Sequence, residues 1–142
     1  MRLLLILGLV IPNLVYADTW LVASIGSYHV QRDKQYCEMN PGVGIEHGDK
    51  WRLVAGTYHN SLCTTSNYAG ASYTFGEVWS LKFGTALLAI TGYEKSKRGT
   101  EAVIAPLPFV SWERKRLGAN LVLIPPYDDF RGAVGLQIKV RF

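Results

Sequence analysis

Beyond residue 17, apolar and polar residues alternate with a period of two, and no helical period persists. At the C-terminus Val134, Leu136, Ile138, Val140 and Phe142 share one face, while Gly135, Gln137, Lys139 and Arg141 share the other. The same parity separates Trp79, Leu81, Phe83 and Leu87 from Ser80, Lys82 and Gly84. It also separates Leu117, Ala119, Leu121 and Leu123 from Gly118 and Asn120. Eight strands are predicted, over 19–29, 42–47, 51–60, 67–75, 78–92, 103–113, 116–125 and 132–142. Connections 30–41, 61–66, 93–102 and 126–131 are long; those at 48–50, 76–77 and 114–115 are tight. Long loops therefore share one rim, as in an up-and-down barrel with both termini at the opposite rim.

The predicted fold is all-β: an eight-stranded antiparallel transmembrane barrel in the cell outer membrane. The last strand, ending on Phe142, is similar to the closing strand of bacterial outer-membrane barrels, which their assembly machinery recognises. Aromatic placement agrees with that reading, because tryptophan and tyrosine favour the two membrane interfaces. Trp20, Trp51, Trp79 and Trp112 fall at the strand ends nearest the tight turns, with Phe75 and Phe142; Tyr28, Tyr58, Tyr68 and Tyr93 fall at the opposite ends. A soluble sandwich, the alternative, has no reason to sort tryptophan to one rim.

The start of the chain changes the picture of where this barrel is made. Met1-Arg2, an apolar run over Leu3 to Ile11, and Val15-Tyr16-Ala17 form a signal peptide pattern, with cleavage expected before Asp18. The expected organisation is a leader over 1–17 and a barrel over 18–142. As a retained anchor, Leu3 to Val15 falls short of the roughly 20 residues of a spanning helix. Losing Arg2 lowers the net charge from +4 to +3, too small a bias to suggest a nucleic-acid partner. An even pair of cysteines in an exported chain, Cys37 and Cys63, is expected to be bridged, joining the loops after strands one and three. The expected state is a monomer with no metal or cofactor.

If every rim tryptophan faces lipid, parity sets the interior. Arg52, Val54, Gly56 and Tyr58 point inward, as do Ser80, Lys82, Gly84, Ala86, Leu88 and Ile90. Gly118, Asn120, Val122 and Ile124 join them, with Ala133, Gly135, Gln137, Lys139 and Arg141. The half near the tight turns is charged, and Glu46 and Glu113 are placed to neutralise Arg52, Lys82, Lys139 and Arg141. The other half is apolar. Gly56, Gly84 and Gly135 leave room there beside Leu88 and Val122 for an acyl chain, unless bulky neighbours such as Ile90 and Ile124 fill it. Pro106 and Pro108 within the sixth strand, and Pro125-Pro126 after the seventh, remove ladder donors; they mark either a lateral gap in the wall or tolerated bulges.

Candidate chemistry lies at the long-loop rim. His29 ends the first strand facing inward, and Tyr58-His59-Asn60-Ser61 ends the third. A histidine near a serine can activate its oxygen, or take a proton from an attacking hydroxyl. The same residue types commonly do no more than satisfy turn backbones.

This layout resembles the lipid A palmitoyltransferase PagP family, small barrels that move a palmitoyl chain from phospholipid to lipid A. His29 matches that family's rim histidine, and Asn60-Ser61 its Asp-Ser pair. The prolines of Ala105-Pro106-Leu107-Pro108 and Ile124-Pro125-Pro126 also have counterparts. The resemblance implies His29 and Ser61 as the catalytic pair with Asn60 as an auxiliary donor, and phospholipid and lipid A as partners. Two features depart from it: Asn60 stands in place of the acid, and the family's N-terminal amphipathic helix has no counterpart. His59-Asn60-Ser61 is also similar to the His-x-Ser of the PagL lipid A deacylases, although Leu62 follows where that family has Asn. The remaining reading is a non-enzymatic barrel whose loops, with Lys34, Lys95, Lys97 and Arg98, meet lipopolysaccharide phosphates.

Overall fold

In the computed structural model, which describes residues 17–93, 102–127 and 130–142, one antiparallel sheet closes on itself. Its strands are β1 (Thr19–His29), β2 (Met39–Gly48), β3 (Trp51–His59), β4 (Thr65–Val78), β5 (Leu81–Thr91), β6 (Ala102–Arg114), β7 (Leu117–Ile124) and β8 (Ala133–Arg141). Each pairs with the next, and β8 returns to β1 through Trp20↔Arg141 to His29↔Ala133. A single closed sheet excludes the sandwich. The expected leader lies outside the described residues, apart from Ala17.

The side chains are arranged inside out relative to a soluble protein. Leu21, Val43, Ile45, Leu53, Leu87, Ile104, Leu121, Leu136, Ile138 and Val140 are exposed on the outer wall, while Glu46, Arg52, Ser111, Asn120 and Lys139 are buried in the bore. Only lipid makes that alternation favourable, since the ladder satisfies the backbone and the apolar side chains face hydrocarbon. No helix among the described residues is long and apolar enough to cross a membrane, and the strands do the crossing. The chain is an outer-membrane β-barrel.

Two departures from the expected strands share one cause, a bulge. The turn expected at 76–77 lies instead at Trp79-Ser80, where Trp79 adopts φ 56°. Gly76 sits inside β4, at the register shift between Thr74 and Gly76, so the glycine marks a bulge rather than a turn. Ser80 consequently belongs to the turn and not to the inward row of β5. In β1 the register shifts between Ser24 and Gly26. Trp20 and Val22 are buried before that shift, and His29 is buried after it.

Trp20 corrects the expectation that every rim tryptophan faces lipid. It is 1% exposed and lies beneath the cations of the bore, 5.0 Å from Lys139 Nζ to its ring centroid. Trp51, Trp79 and Trp112 do face outward. Of the four tyrosines expected at the other rim only Tyr28 is exposed: Tyr68 is buried in the bore, and Tyr58 and Tyr93 pack against the core with their hydroxyls 3.0 Å apart.

The charged floor forms as expected, with one exception. Arg52 donates to Glu46 at 3.0 Å and bidentately to Glu113; Lys139 bridges Glu46 at 2.9 Å and Glu113 at 2.7 Å; Lys82 reaches Glu113 at 2.8 Å. Asn120 donates to Glu46 at 2.8 Å. Arg141 stays at the rim, paired with Asp18 at 2.9 Å. Breaking one member of such a buried set costs roughly 3–5 kcal/mol, because it strands the remaining charges.

Candidate functional site

The long-loop rim is built around the segment 30–38, which is stitched to three neighbours. Its near end is fixed by Val30, whose amide donates to the Gly132 carbonyl at 3.1 Å. The far end is fixed by Asn40, buried, which accepts from the Ser27 hydroxyl and donates to the carbonyls of Cys37 and His59, both at 2.9 Å. Toward β3, the Cys37 amide donates to the Ser61 carbonyl at 2.9 Å, and Cys37 and Cys63 are disulfide-bonded with their Cα atoms 5.4 Å apart. The expected bridge is present, and it holds the loop after β1 against the loop after β3.

His29 is enclosed by this segment. Its ring stacks on Tyr36 at 4.2 Å and meets Phe130 edge-on at 5.9 Å. Its amide donates to Glu38 Oε1 at 3.2 Å, while its Nδ1, 3.6 Å from that same oxygen, has no hydrogen-bond partner among the described residues. Arg32 closes the group, bound to Glu38 and lying 4.9 Å above the Tyr28 ring. The Glu38 carboxyl is held below the usual carboxylate range, first by the His29 amide and then by Arg32, against the opposing effect of desolvation.

Asn60 is fully buried and completely engaged. The two hydrogens of its Nδ2 are shared among Thr64 Oγ1 at 2.8 Å, Ser66 Oγ at 2.9 Å and the Gly92 carbonyl at 3.1 Å. Its Oδ1 accepts from the amides of Leu62 at 2.9 Å and Thr64 at 3.1 Å, an Asx-type anchor for the turn 60–64. Ser61 is half-buried, and its carbonyl serves the Cys37 amide. No hydrogen bond among the described residues joins His29 to Ser61 or to Asn60. Each of the three is placed by its own local network.

Every residue expected to line an acyl chamber faces the bore, but the space is occupied. Gly44, Gly56 and Tyr68 stand side by side on β2, β3 and β4, and the Tyr68 ring lies across both glycines. A Cβ on Gly56 would fall 2.5 Å from the Tyr68 hydroxyl; one on Gly84 would meet the Phe109 ring. Leu88 packs with Tyr68, Ala86, Ile90 and Leu107 in the buried core, joined by Val122 and Ile124. Among the three expected glycines, Gly135 alone has ordinary clearance, 3.8 Å to Ile124 Cδ1. The expectation that Gly56 and Gly84 leave room is corrected. Aromatic rings from adjacent strands cover them, a cross-strand pairing recognisable in sequence only once the register is known.

Beside the prolines the β6–β7 pairing stops. The Glu113 amide donates to the Ser80 carbonyl, on the β5 side, and β6 runs without a register shift from there to Ala102. Odd-numbered amides of β6 therefore point to β5 and even-numbered ones to β7. Pro106 and Pro108 are even, so both missing donors face β7. The β6–β7 ladder ends at Phe109↔Val122, leaving Ala102–Pro108 paired with β5 alone and Leu123-Ile124 paired with β8 alone.

Outside the bore, a cleft of about 560 Å³ opens beside the disulfide, lined by Arg32, Lys34, Tyr36, Glu38 and Cys63 among others. Cys37, His59 and Cys63 bring ligand-type atoms within 4.8 Å of one another. The two sulfurs are bonded to each other, so neither is the thiolate that a metal takes.

No protein-family model matches the chain, and no curated protein sequence matches it. Among solved structures it is similar to the Yersinia pestis outer membrane protein Ail, determined as a backbone structure in a phospholipid bilayer nanodisc. The TM-score is 0.48 at 12% identity, over 89% of this chain and 99% of that chain.

Proposed function

We propose that the chain is a non-enzymatic outer-membrane barrel whose working surface is the disulfide-braced rim, held against the phosphorylated lipid of the outer leaflet. The observation that carries this reading is the packed bore: Tyr68, Phe109, Leu88 and Ile90 occupy the volume an acyl chain would need. The rim residues fit it too. Asn60 spends its hydrogen-bonding capacity on the turn 60–64, Ser66 and the Gly92 carbonyl, His29 is boxed by Tyr36 and Phe130, and Lys34 and the Glu38-paired Arg32 line an open cleft that a phosphate could approach. Lys95, Lys97 and Arg98 lie outside the described residues. In this reading a leader ending at Ala17 directs export, the strand ending at Phe142 is handed to the barrel assembly machinery, and the barrel works as a monomer. N-terminal sequencing of the membrane-inserted protein checks the cleavage: Asp18 should be its first residue.

One observation favours acyl transfer as a second reading, the unpaired stretch of β6 beside β7 through which a lipid tail can enter sideways. With it go His29 as general base, Ser61 as nucleophile or neighbour of the acceptor hydroxyl, and phospholipid and lipid A as substrates. Mass spectrometry of lipid A from expressing cells separates the readings. The structural barrel leaves the mass unchanged. A gain of one acyl chain that disappears in His29→Phe would establish the transferase, and a loss of one chain the deacylase.

A further inference from the structure

The rim bearing the termini holds a charged surface that neither the brace nor the bore uses. The β6–β7 turn is Arg114-Lys115-Arg116, three consecutive exposed cations, with Lys115 at φ 54°. None of the three has an ion-pair partner among the described residues. Two of the acids at this rim are committed elsewhere, Glu113 inward to Arg52, Lys82 and Lys139, and Asp18 to Arg141.

Interfacial aromatics flank this turn on both sides. The bond from the Glu113 amide to the Ser80 carbonyl sets Arg114 beside Trp79, which is 91% exposed; the Arg141 amide donates to the Arg116 carbonyl at 2.9 Å, bringing Phe142 to the other side. Trp112, two residues before Arg114 on the same outward face, and Leu117, next after Arg116, are exposed apolar residues of the lipid-facing wall. At about 3.3 Å per strand residue, the cations begin within one or two residues of the hydrocarbon edge, the level of lipid phosphates.

We propose that Arg114, Lys115 and Arg116 form a binding site for the headgroup of an anionic phospholipid of the phosphatidylglycerol type, in the leaflet at the terminal rim. The two guanidinium groups take the phosphodiester oxygens, Lys115 adds a third charge, and Trp79 and Phe142 fix the turn at headgroup depth. Zwitterionic headgroups offer no net charge to match. Each cation near an anionic surface is worth roughly fivefold in affinity, so three give on the order of a hundredfold.

The test uses the folded full-length barrel in micelles containing equal phosphatidylcholine and phosphatidylglycerol, with retained lipids counted by native mass spectrometry. Wild type should keep phosphatidylglycerol at least tenfold over phosphatidylcholine, and raising salt well above physiological strength should release it. The triple variant R114Q/K115Q/R116Q should lose the preference while keeping heat-modifiable mobility. If that variant does not fold, the charge-conserving R114K/K115R/R116K and the salt titration of wild type decide instead. Equal retention of the two lipids by wild type, or persistence of the preference in the triple glutamine variant, would overturn the proposal.

Discussion

At the scale of single residues, an asparagine at position 60 is explained by what its amide faces. Thr64 and Ser66 present hydroxyls, which can donate or accept, but the Gly92 carbonyl can only accept. An oxygen in place of Asn60 Nδ2 would be repelled there. Asn60→Asp should therefore lower stability by about 1–3 kcal/mol, more if the acid stays ionised, read as a reduced urea midpoint of the refolded barrel. It should not create acyl transfer. Glu38 makes a second residue-level prediction, with a definite sign. Its folded pKa is depressed, so its tie to the His29 amide and Arg32 persists above the ordinary carboxylate pKa and is lost as pH falls through the lower folded value. Protease cleavage within 30–38 should stay slow from neutral pH down through the ordinary carboxylate range and accelerate only below that range. Glu38→Gln should be cleaved faster at neutral pH, with that acid-dependent step gone.

At the scale of elements, β1 shows how much of the fold the alternation carried. Strand number, pairing order and most inward rows were legible, because one face of each strand must be apolar and a slip of one residue inverts it. The inward placement of His29 was also expected, but from a premise the fold does not obey. Trp20 and His29 have opposite parity and would lie on opposite faces of a regular strand, yet both are buried. The shift at Ser24/Gly26 changes the phase between them, with Ile25 as the extra residue relative to β8. Nothing local to the sequence marks it, since the bulge answers to partner strands. Deleting Ile25 should be tolerated, leaving His29 as protected from diethylpyrocarbonate as in wild type. Deleting Leu21, equally apolar and lipid-facing, should set Trp20 and Val22 at odds and abolish the heat-modifiable folded form. The rim network was hidden for the same reason: Asn40, Tyr36, Glu38 and Phe130 meet His29 or its loop only after distant turns converge.

For the molecule as a whole, the floor is cross-braced by every strand except β4. Glu46, Arg52, Lys82, Glu113, Asn120 and Lys139 span the bore through direct side-chain bonds, with Trp20 of β1 packed beneath the cations. A hydrated ion crossing there would have to part contacts of 2.7 to 3.0 Å that hold buried charges together. The barrel should therefore be electrically silent. Reconstituted in a planar bilayer, it should show no unitary current steps at any applied voltage that the lipid itself withstands. The double variant Arg52→Ala/Glu113→Ala, which removes the centre of the brace, should begin to leak, and resolved conductance in the wild type would mean that the floor parts under the field.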